Sequence, residues 1–96
     1  MNFEWHARKA AANLKKHGVS FEEAMTVFGD NYSTTFPDPD HSRGEERHLI
    51  IGFSKKERVL VISHTHRGET IRLISARSAT RRERNFYEDG KEQRIE

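Results

Sequence analysis

Three strand-like segments in the second half of the chain restrict the fold more than any other feature. They read RHLIIGF (47–53), RVLVISHTH (58–66) and TIRLISAR (70–77), and each is rich in β-branched residues. Only the short turns SKKE and RGE separate them, so consecutive strands are expected to run antiparallel. The sequence therefore predicts an antiparallel meander at the centre of the fold.

Two short amphipathic helices are predicted before the meander. In the first, Ala10 and Leu14 belong to the apolar stripe at helical spacing, and Asn13 is expected to face away from it. Gly18 is a natural end for this helix. The segment SFEE (20–23) is a capping box that opens the second helix.

The remaining segments complete a β-α-α-β-β-β-β-α order. NFEW (2–5) and YSTTF (32–36) have strand character, and ATRRERNFYE (79–88), capped by Ser78, predicts a final helix. Residues 89–96 are polar and are expected to form a flexible tail. This order predicts an α+β fold, with two N-terminal helices and a C-terminal helix on one face of an antiparallel sheet.

The size of the chain allows one domain, which we place at residues 1–88. With 96 residues, 33% hydrophobic and 33% charged, it can bury one modest core and is expected to gain stability from a partner. It has no cysteine, so disulfides and thiolate metal sites are excluded. No signal-peptide core or apolar stretch of about 18 residues is present, so a cytoplasmic protein without membrane contact is the expectation.

Positive charge is concentrated in one part of the sequence. Residues 67–84 carry six arginines and two glutamates, whereas residues 1–66 are balanced with nine basic and nine acidic residues. If Arg77 stands at the entrance of the last helix, Arg77, Arg81 and Arg84 form one stripe. Such a stripe suits binding of phosphate or of an acidic partner, while pairing with Glu83 or simple solvation of the helix face is the alternative.

Histidines are the second group with chemical potential. His64 and His66 lie two apart on a predicted strand and so share a face, which suits an acid–base pair. A metal site would need a third ligand, for which His48 or His41 are the candidates, and H-x-H alone is a weak metal pattern. Packed or solvent-facing histidines are the alternative. RNA transesterification needs a base, an acid and positive charge, which histidines and arginines supply together. The two carboxylates of PDPDH (37–41) are expected to lie in an ordinary surface turn.

At this point FEWHARKAAANLKKHGVSFEEAMTVFGD (3–30) and RVLVISHTHRGETIRLISARSATRRERNFYE (58–88) identify a family resemblance. Over roughly residues 3–88 the chain resembles the BrnT family of bacterial toxins of type II toxin–antitoxin pairs. The resemblance implies a RelE-like fold, ribonuclease activity that inhibits translation, and neutralisation by a small BrnA-type antitoxin. It also implies that the antitoxin carries the DNA-binding element and that the complex represses its own operon.

Several positions match the motifs of this family. The matching basic residues are Lys16, His17, Arg67, Arg72, Arg77, Arg81 and Arg84. Glu83 and Tyr87 match the end of the last motif as supporting residues, and Glu83 is expected to orient an arginine. The departures are His6, where the family usually has Asp, His66, where an acidic residue is common, and Ser78, where Lys is frequent. An acid–base role of His66 is therefore not inherited from the family.

The leading hypothesis is a metal-independent endoribonuclease that needs no cofactor. Arg67, Arg77 and Arg81 are expected to hold the scissile phosphate, and His64 or His66 is expected to transfer protons. The residues expected to bind the flanking RNA backbone are Lys15, Lys16, His17, Arg72, Arg82 and Arg84. The expected partners are RNA, a BrnA-like antitoxin, operator DNA through that antitoxin, and a second toxin copy in the complex.

Two other hypotheses remain. An inactive module would keep the fold and the antitoxin site, and its arginines would bind acidic residues of the antitoxin. A free-standing DNA-binding protein is less favoured, because no helix-turn-helix with a polar recognition helix is evident.

Overall fold

The computed structural model describes residues 1–38, 40 and 45–95, and its elements follow the predicted order. The strands are β1 (Asn2–Glu4), β2 (Thr34–Pro37), β3 (Arg47–Phe53), β4 (Val59–Arg67) and β5 (Thr70–Ser78), and the helices are α1 (Ala7–His17), α2 (Phe21–Val27) and α3 (Arg81–Ile95). The predicted α+β class is confirmed. His41, one of the histidines considered above, lies outside the described residues.

The five strands form one sheet in the order β1-β5-β4-β3-β2. Strands β2 to β5 pair antiparallel, as their tight connections predict, but β1 pairs in parallel with β5, with Asn2 opposite Thr70 and Glu4 opposite Arg72. The sheet is therefore mixed, and the prediction of a wholly antiparallel sheet is wrong. No hairpin turn ties β1 to its neighbour, so local sequence did not constrain its direction.

A β-bulge interrupts the pairing of β4 with β5. Ser63 pairs with Ser75, yet His64 pairs with Leu73, which leaves Ile74 as an additional residue on β5. Strict alternation along β5 would place Arg72 and Arg77 on opposite faces of the sheet. The extra residue shifts the alternation by one position, so both arginines lie on the same face.

Helices cover both faces of the sheet rather than one. On the first face α1 and α2 pack over the larger core, whose buried residues are Val19, Phe21, Ala24, Val27, Ile50, Leu60, Ile62, Ile71, Leu73 and Ala76. On the second face α3 packs over a smaller core of Ile51, Val59, Val61, Ala79 and Tyr87. The prediction of helices on a single face is wrong, because the apolar residues of β3 and β4 occupy both faces and both need cover.

Helix α1 is oriented differently from the prediction. Asn13 is its only buried residue, and its side chain bonds the backbone N–H and C=O of Ala76 and the carbonyl of Val19. Leu14, expected in the core, is 51% exposed. The buried amide satisfies backbone groups of β5 near the bulge, which an apolar side chain cannot do. At the other end His6 serves as the N-cap, its Nδ1 accepting from the Arg8 N–H at 3.2 Å, in the role a carboxylate would have filled.

Helix α2 begins as predicted, but its glutamate has another partner. The Ser20 hydroxyl accepts from the Glu23 N–H at 3.0 Å, which confirms the cap. The buried Glu23 carboxylate accepts hydrogen bonds from the Arg58 guanidinium and, at 2.7 Å, from Ser54 Oγ. Hydrogen bonds from Arg58 hold the pKa of Glu23 below its usual value despite burial. This pair fastens α2 to the β3–β4 turn.

Helix α3 starts later and ends later than predicted. Ser78 is the last residue of β5 rather than the cap. Thr80 and Glu83 form a reciprocal capping box, with the Glu83 N–H donating to Thr80 Oγ1 at 3.2 Å and the Thr80 N–H donating to Glu83 Oε1 at 2.9 Å. The helix continues to Ile95, so most of the segment predicted as a tail from residue 89 is helical.

Candidate active site

Beyond the smaller core, the second face of the sheet is polar and carries four arginines. They are Arg47 of β3, Arg67 of β4, and Arg72 and Arg77 of β5. Thr65 pairs with Arg47 on one side and with Arg72 on the other, and Arg77 pairs with the core residue Val61. Residues paired across neighbouring strands share a face, so the four arginines lie on the same face, with Arg47, Arg67 and Arg72 near Thr65 and with Arg77 further along the sheet at Val61. We term these four residues the arginine face.

A cleft of about 310 Å³ opens on the arginine face. It is lined by Asp38, Asp40, Arg47, Leu49, Ser63, Ile74, Ser75 and Arg77. The bulge contributes to it directly, because Ile74 and Ser75 are the residues at which the alternation of β5 shifts. The lining combines two guanidinium groups, two hydroxyls and two carboxylates, a mixture suited to a polar, anionic ligand with exchangeable protons.

Arg77 is held in place by Glu83 at the start of α3. Its Nη1 donates to Glu83 Oε1 at 2.7 Å and its Nη2 to Oε2 at 3.0 Å, which forms a two-point fork. Hydrogen bonding from Arg77 lowers the pKa of Glu83 to about 2. Glu83 is thus a fixed anion that orients Arg77 and is poorly suited to take up a proton. The predicted stripe of Arg77, Arg81 and Arg84 along one helix is wrong, because Arg77 lies on β5.

The ion pairs of Arg47 and Arg67 are longer than that of Arg77. Arg67 lies 4.0 Å from Glu4 and 3.9 Å from Glu45, and Arg47 lies 4.0 Å from Glu45. The Arg67 side chain is 55% exposed. Exposed pairs at such distances contribute at most about 1 kcal/mol. A phosphate oxygen can therefore replace these carboxylates at low cost.

Three further arginines lie in the first turn of α3. Arg81 and Arg82 are exposed, and Arg84 donates from Nη1 to the carbonyl of Ala79 at 3.0 Å. Glu83 is the acidic residue of this turn. Cations at a helix N-terminus oppose the helix dipole, so this placement does not serve helix stability. It does add positive potential beside the arginine face.

The histidines lie on the first face of the sheet and not beside Arg77. His48, His64 and His66 form a cluster there, with ring centroids 5.4 to 5.9 Å apart, and His64 packs edge-on against Phe28, the C-cap of α2. His64 is 1% exposed, and burial lowers its pKa to about 4. The hypothesis that His64 or His66 transfers protons next to Arg77 needs one shared face, which the structure does not provide.

Tyr87 belongs to the smaller core, and the basic end of α1 lies across the sheet from the arginine face. The Tyr87 hydroxyl donates to Asp30 Oδ2 at 2.6 Å, and burial together with this bond raises the pKa of Tyr87. Tyr87 therefore anchors α3 to the loop after α2. The exposed residues predicted to bind RNA, Lys15, Lys16 and His17, occupy the last turn of α1, on the opposite side of the sheet.

Sequence reasoning missed several groups of the cleft. Arg47, Ser63 and Ser75 are brought together by strand register, which no local pattern encodes. The sequence predicts an ordinary surface turn for Asp38 and Asp40, although both line the cleft. Among the described residues, no group of three or more His, Asp or Glu is arranged to hold a metal ion. Nor does that part of the chain contain a helix long and apolar enough to cross a membrane.

Comparison with known proteins agrees with the family resemblance. The family model described as the ribonuclease toxin BrnT of type II toxin–antitoxin systems matches residues 5–83. The crystal structure of the ribonuclease toxin BrnT from Brucella abortus aligns with a TM-score of 0.67 over 84% of this chain and 99% of that chain, at 24% identity, which shows a shared fold. A search of curated proteins gives no match. Because the family model spans well over half of the sequence, the chain belongs to the BrnT family of ribonuclease toxins of type II toxin–antitoxin systems.

Proposed function

We propose that this protein is an endoribonuclease toxin of the RelE-like type that cleaves RNA by metal-independent transesterification. The observation that carries the proposal is that Arg47, Arg67, Arg72 and Arg77 share one face of the sheet, where Arg47 and Arg77 line a polar cleft. Guanidinium groups bind phosphate oxygens through paired hydrogen bonds and keep their charge at any physiological pH. An array of them on rigid strands is a preorganised site for a phosphodiester.

The reaction has three requirements. The ribose 2′-oxygen attacks phosphorus as it loses its proton, the bond from phosphorus to the 5′-oxygen breaks, and that oxygen gains a proton. The products are a 2′,3′-cyclic phosphate and a 5′-hydroxyl end. Negative charge accumulates on the non-bridging oxygens in the transition state, so donors aimed at them accelerate the step.

Arg77 is proposed to bind the non-bridging oxygens of the scissile phosphate. Glu83 fixes its guanidinium through the fork described above, and Arg77 is also one of the residues that line the cleft. Arg72 lies four β4 positions from Arg77, about 13 Å along the sheet, and Arg67 lies further still, so they would bind flanking phosphates, and the exposed Arg81 would extend the site from α3. Fixing a charged donor in advance avoids reorganisation at the moment of reaction.

The proton-transfer groups are proposed to come from the cleft itself rather than from the histidine cluster. Asp38 and Asp40 are the carboxylates that line it. A carboxylate beside the 2′-hydroxyl can accept its proton, with efficiency limited by its basicity, and the carboxylic acid so formed, or a water molecule, can protonate the leaving 5′-oxygen. His64 is assigned a packing role, because it is buried on the first face.

The chemistry can be tested with a matched pair of RNAs. Purified toxin in EDTA is expected to cleave an all-ribose oligonucleotide and to leave a 2′,3′-cyclic phosphate, identified by mass spectrometry. The same oligonucleotide with a single 2′-deoxyribose at the cleavage site should resist cutting there. Cleavage of the deoxy-substituted site, or activity that appears only after Mg²⁺ is added, would contradict transesterification without metal.

A second function is favoured by a different observation. The face arginines already contact carboxylates of their own chain, Glu4, Glu45 and Glu83, so they are equally suited to acidic residues of a protein partner. On this alternative the protein is an inactive toxin module that binds the antitoxin and assists operon repression. Expression without the antitoxin distinguishes the two: the toxin arrests growth, whereas the module does not.

The biological setting proposed here follows from membership of the family. The toxin would act in the cytoplasm and inhibit translation by cutting RNA. A BrnA-like antitoxin would neutralise it, and the complex, with two toxin copies, would reach operator DNA through the antitoxin.

A further inference from the structure

An apolar groove separates β2 from the first turns of α3. It has a volume of about 480 Å³ and is lined by Thr34, Phe36, Ile51, Arg82, Glu83 and Phe86. Its floor continues the smaller core, since Ile51 belongs to that core and Phe36 packs against it. Phe86 forms one wall and is 53% exposed, although the next residue, Tyr87, is buried.

An exposed phenylalanine alone would mean little, since folded proteins expose many single apolar residues. Here the ring stands over a concave surface whose floor is also apolar, the arrangement that anchors a partner side chain. A type II toxin has an antitoxin as its partner, and the groove supplies an apolar surface for such a partner. Truncation of a buried aromatic anchor in such a pocket commonly weakens binding by at least about tenfold.

The edge of β2 indicates which kind of segment can bind. The Asp38 N–H donates to the Arg47 carbonyl, which directs the backbone groups of Asp38, Phe36 and Thr34 towards β3. Thr35 and Pro37 then face outward, and Pro37 has no N–H to offer to an added strand. The edge is thereby blunted, so addition of a β-strand is disfavoured and a helix lying in the groove is the better fit.

The rim of the groove indicates the charge of that helix. Arg82 lines the groove, and Arg81 is exposed beside it in the same turn. Like charges across an interface are costly, and acidic residues opposite these arginines would be attracted. A helix with apolar residues on one side and acidic residues along the flank matches both features.

We propose that this groove binds an amphipathic helix of the antitoxin, with an apolar anchor against Phe36 and Phe86 and carboxylates against Arg81 and Arg82. Glu83 both lines the groove and holds Arg77. The effect of antitoxin on RNA binding therefore rests on the proposed function. A helix seated there touches the residue that orients the catalytic arginine. Antitoxin binding and RNA binding are therefore expected to exclude or weaken each other.

The test uses the complex of this toxin with the antitoxin encoded beside its gene, produced by co-expression. Phe86→Asp is compared with Leu14→Asp, a matched control because Leu14 is 51% exposed on α1, across the sheet from the groove. Phe86→Asp is expected to weaken antitoxin binding at least about tenfold, and Leu14→Asp to change it less than about twofold. Arg82→Glu changes an exposed residue at the rim of the groove and should also weaken antitoxin binding. This second variant keeps the test valid if Phe86→Asp fails to fold.

Hydrogen exchange locates the contact independently. Antitoxin should slow exchange in residues 34–37 and 82–86. Unchanged affinity of both folded groove variants, or protection confined to other segments, would overturn the proposal. So would a toxin that self-associates through the groove, loses this association in Phe86→Asp and still binds antitoxin normally, since a second copy would then be the occupant.

The two proposals can fail separately. Phe86 lies outside the arginine face, so free Phe86→Asp is expected to cleave RNA at the wild-type rate. If wild-type toxin does not cleave RNA but the groove variants lose antitoxin, the groove assignment stands and the ribonuclease proposal fails. If wild-type toxin cleaves RNA and the groove variants bind antitoxin normally, the ribonuclease proposal stands and the groove assignment fails.

Discussion

Replacement of His64 by phenylalanine tests whether this residue packs in the core or takes part in catalysis. His64 is 1% exposed and its ring packs edge-on against Phe28 at a centroid distance of 4.9 Å, a contact that a phenyl ring can retain. Burial lowers the pKa of His64 from 6.5 in the unfolded chain to about 4 in the folded protein. The unfolded state therefore binds more protons between these values, and stability falls as the pH drops from 6.5 towards 4.

The size of this effect follows from the two pKa values. At pH 5 the unfolded histidine is almost fully protonated and the folded one is largely neutral. Relative to pH 7, this costs the folded state about 2 kcal/mol, since one pKa unit corresponds to about 1.4 kcal/mol. Carboxylates contribute little in this window, because their ordinary pKa values lie below 5. Wild type is thus expected to lose about 2 kcal/mol of unfolding free energy between pH 7 and pH 5, and His64→Phe much less.

Urea unfolding at several pH values measures this difference, with His17→Gln as the control. His17 is exposed in the last turn of α1, and its replacement leaves His64 in place, so the acid loss should persist. Equal acid loss in wild type and His64→Phe would refute the assignment of His64 as the buried neutral group. A fall of more than about a hundredfold in RNA cleavage by folded His64→Phe would restore it as a candidate acid or base.

Two further substitutions test the residues that support the site. Glu83→Gln removes the anion that fixes Arg77, so cleavage at saturating RNA should fall about tenfold to a hundredfold. The stability that depends on the low pKa of Glu83, present above pH 4.5 and lost as the pH falls towards 2, should also disappear. Single-turnover kinetics and acid titration check both effects, and Glu22→Gln on exposed α2 surface is the control; an unchanged rate would show that Arg77 needs no such support. Tyr87→Phe removes the hydroxyl that donates to Asp30, so unfolding free energy should fall by about 2 kcal/mol in urea titration while cleavage stays within about twofold of wild type. A large loss of activity at unchanged stability would instead place Tyr87 in the site.

Local sequence predicted the elements well where a local cause determines them. The turns SKKE and RGE leave no room for a crossover, so the antiparallel pairing of β3, β4 and β5 followed directly. Ser20 caps α2 as expected because that bond spans only three residues. The family resemblance was equally accessible, because its motifs are short and contiguous.

The remaining features depend on contacts between distant segments. Asn13 was placed on the solvent side of α1 because its partners, Ala76 and Val19, lie on other elements. The bulge at Ile74 arises from the ladder between two strands, and it decides which face Arg72 occupies. Burial of His64 and its separation from Arg77 follow from sheet register, which a one-residue shift would reverse.

The central claim is that the arginine face binds the phosphates of RNA. The rate at which Arg77→Ala cleaves RNA tests this claim most directly. Single-turnover cleavage of one end-labelled RNA in EDTA should be compared for wild type, Arg77→Ala and Arg8→Ala, the last an exposed arginine at the start of α1. Loss of one preorganised donor to the transition state is expected to slow cleavage by about a hundredfold to a thousandfold in Arg77→Ala, with Arg8→Ala unchanged. Cleavage by folded Arg77→Ala at the wild-type rate would contradict the claim.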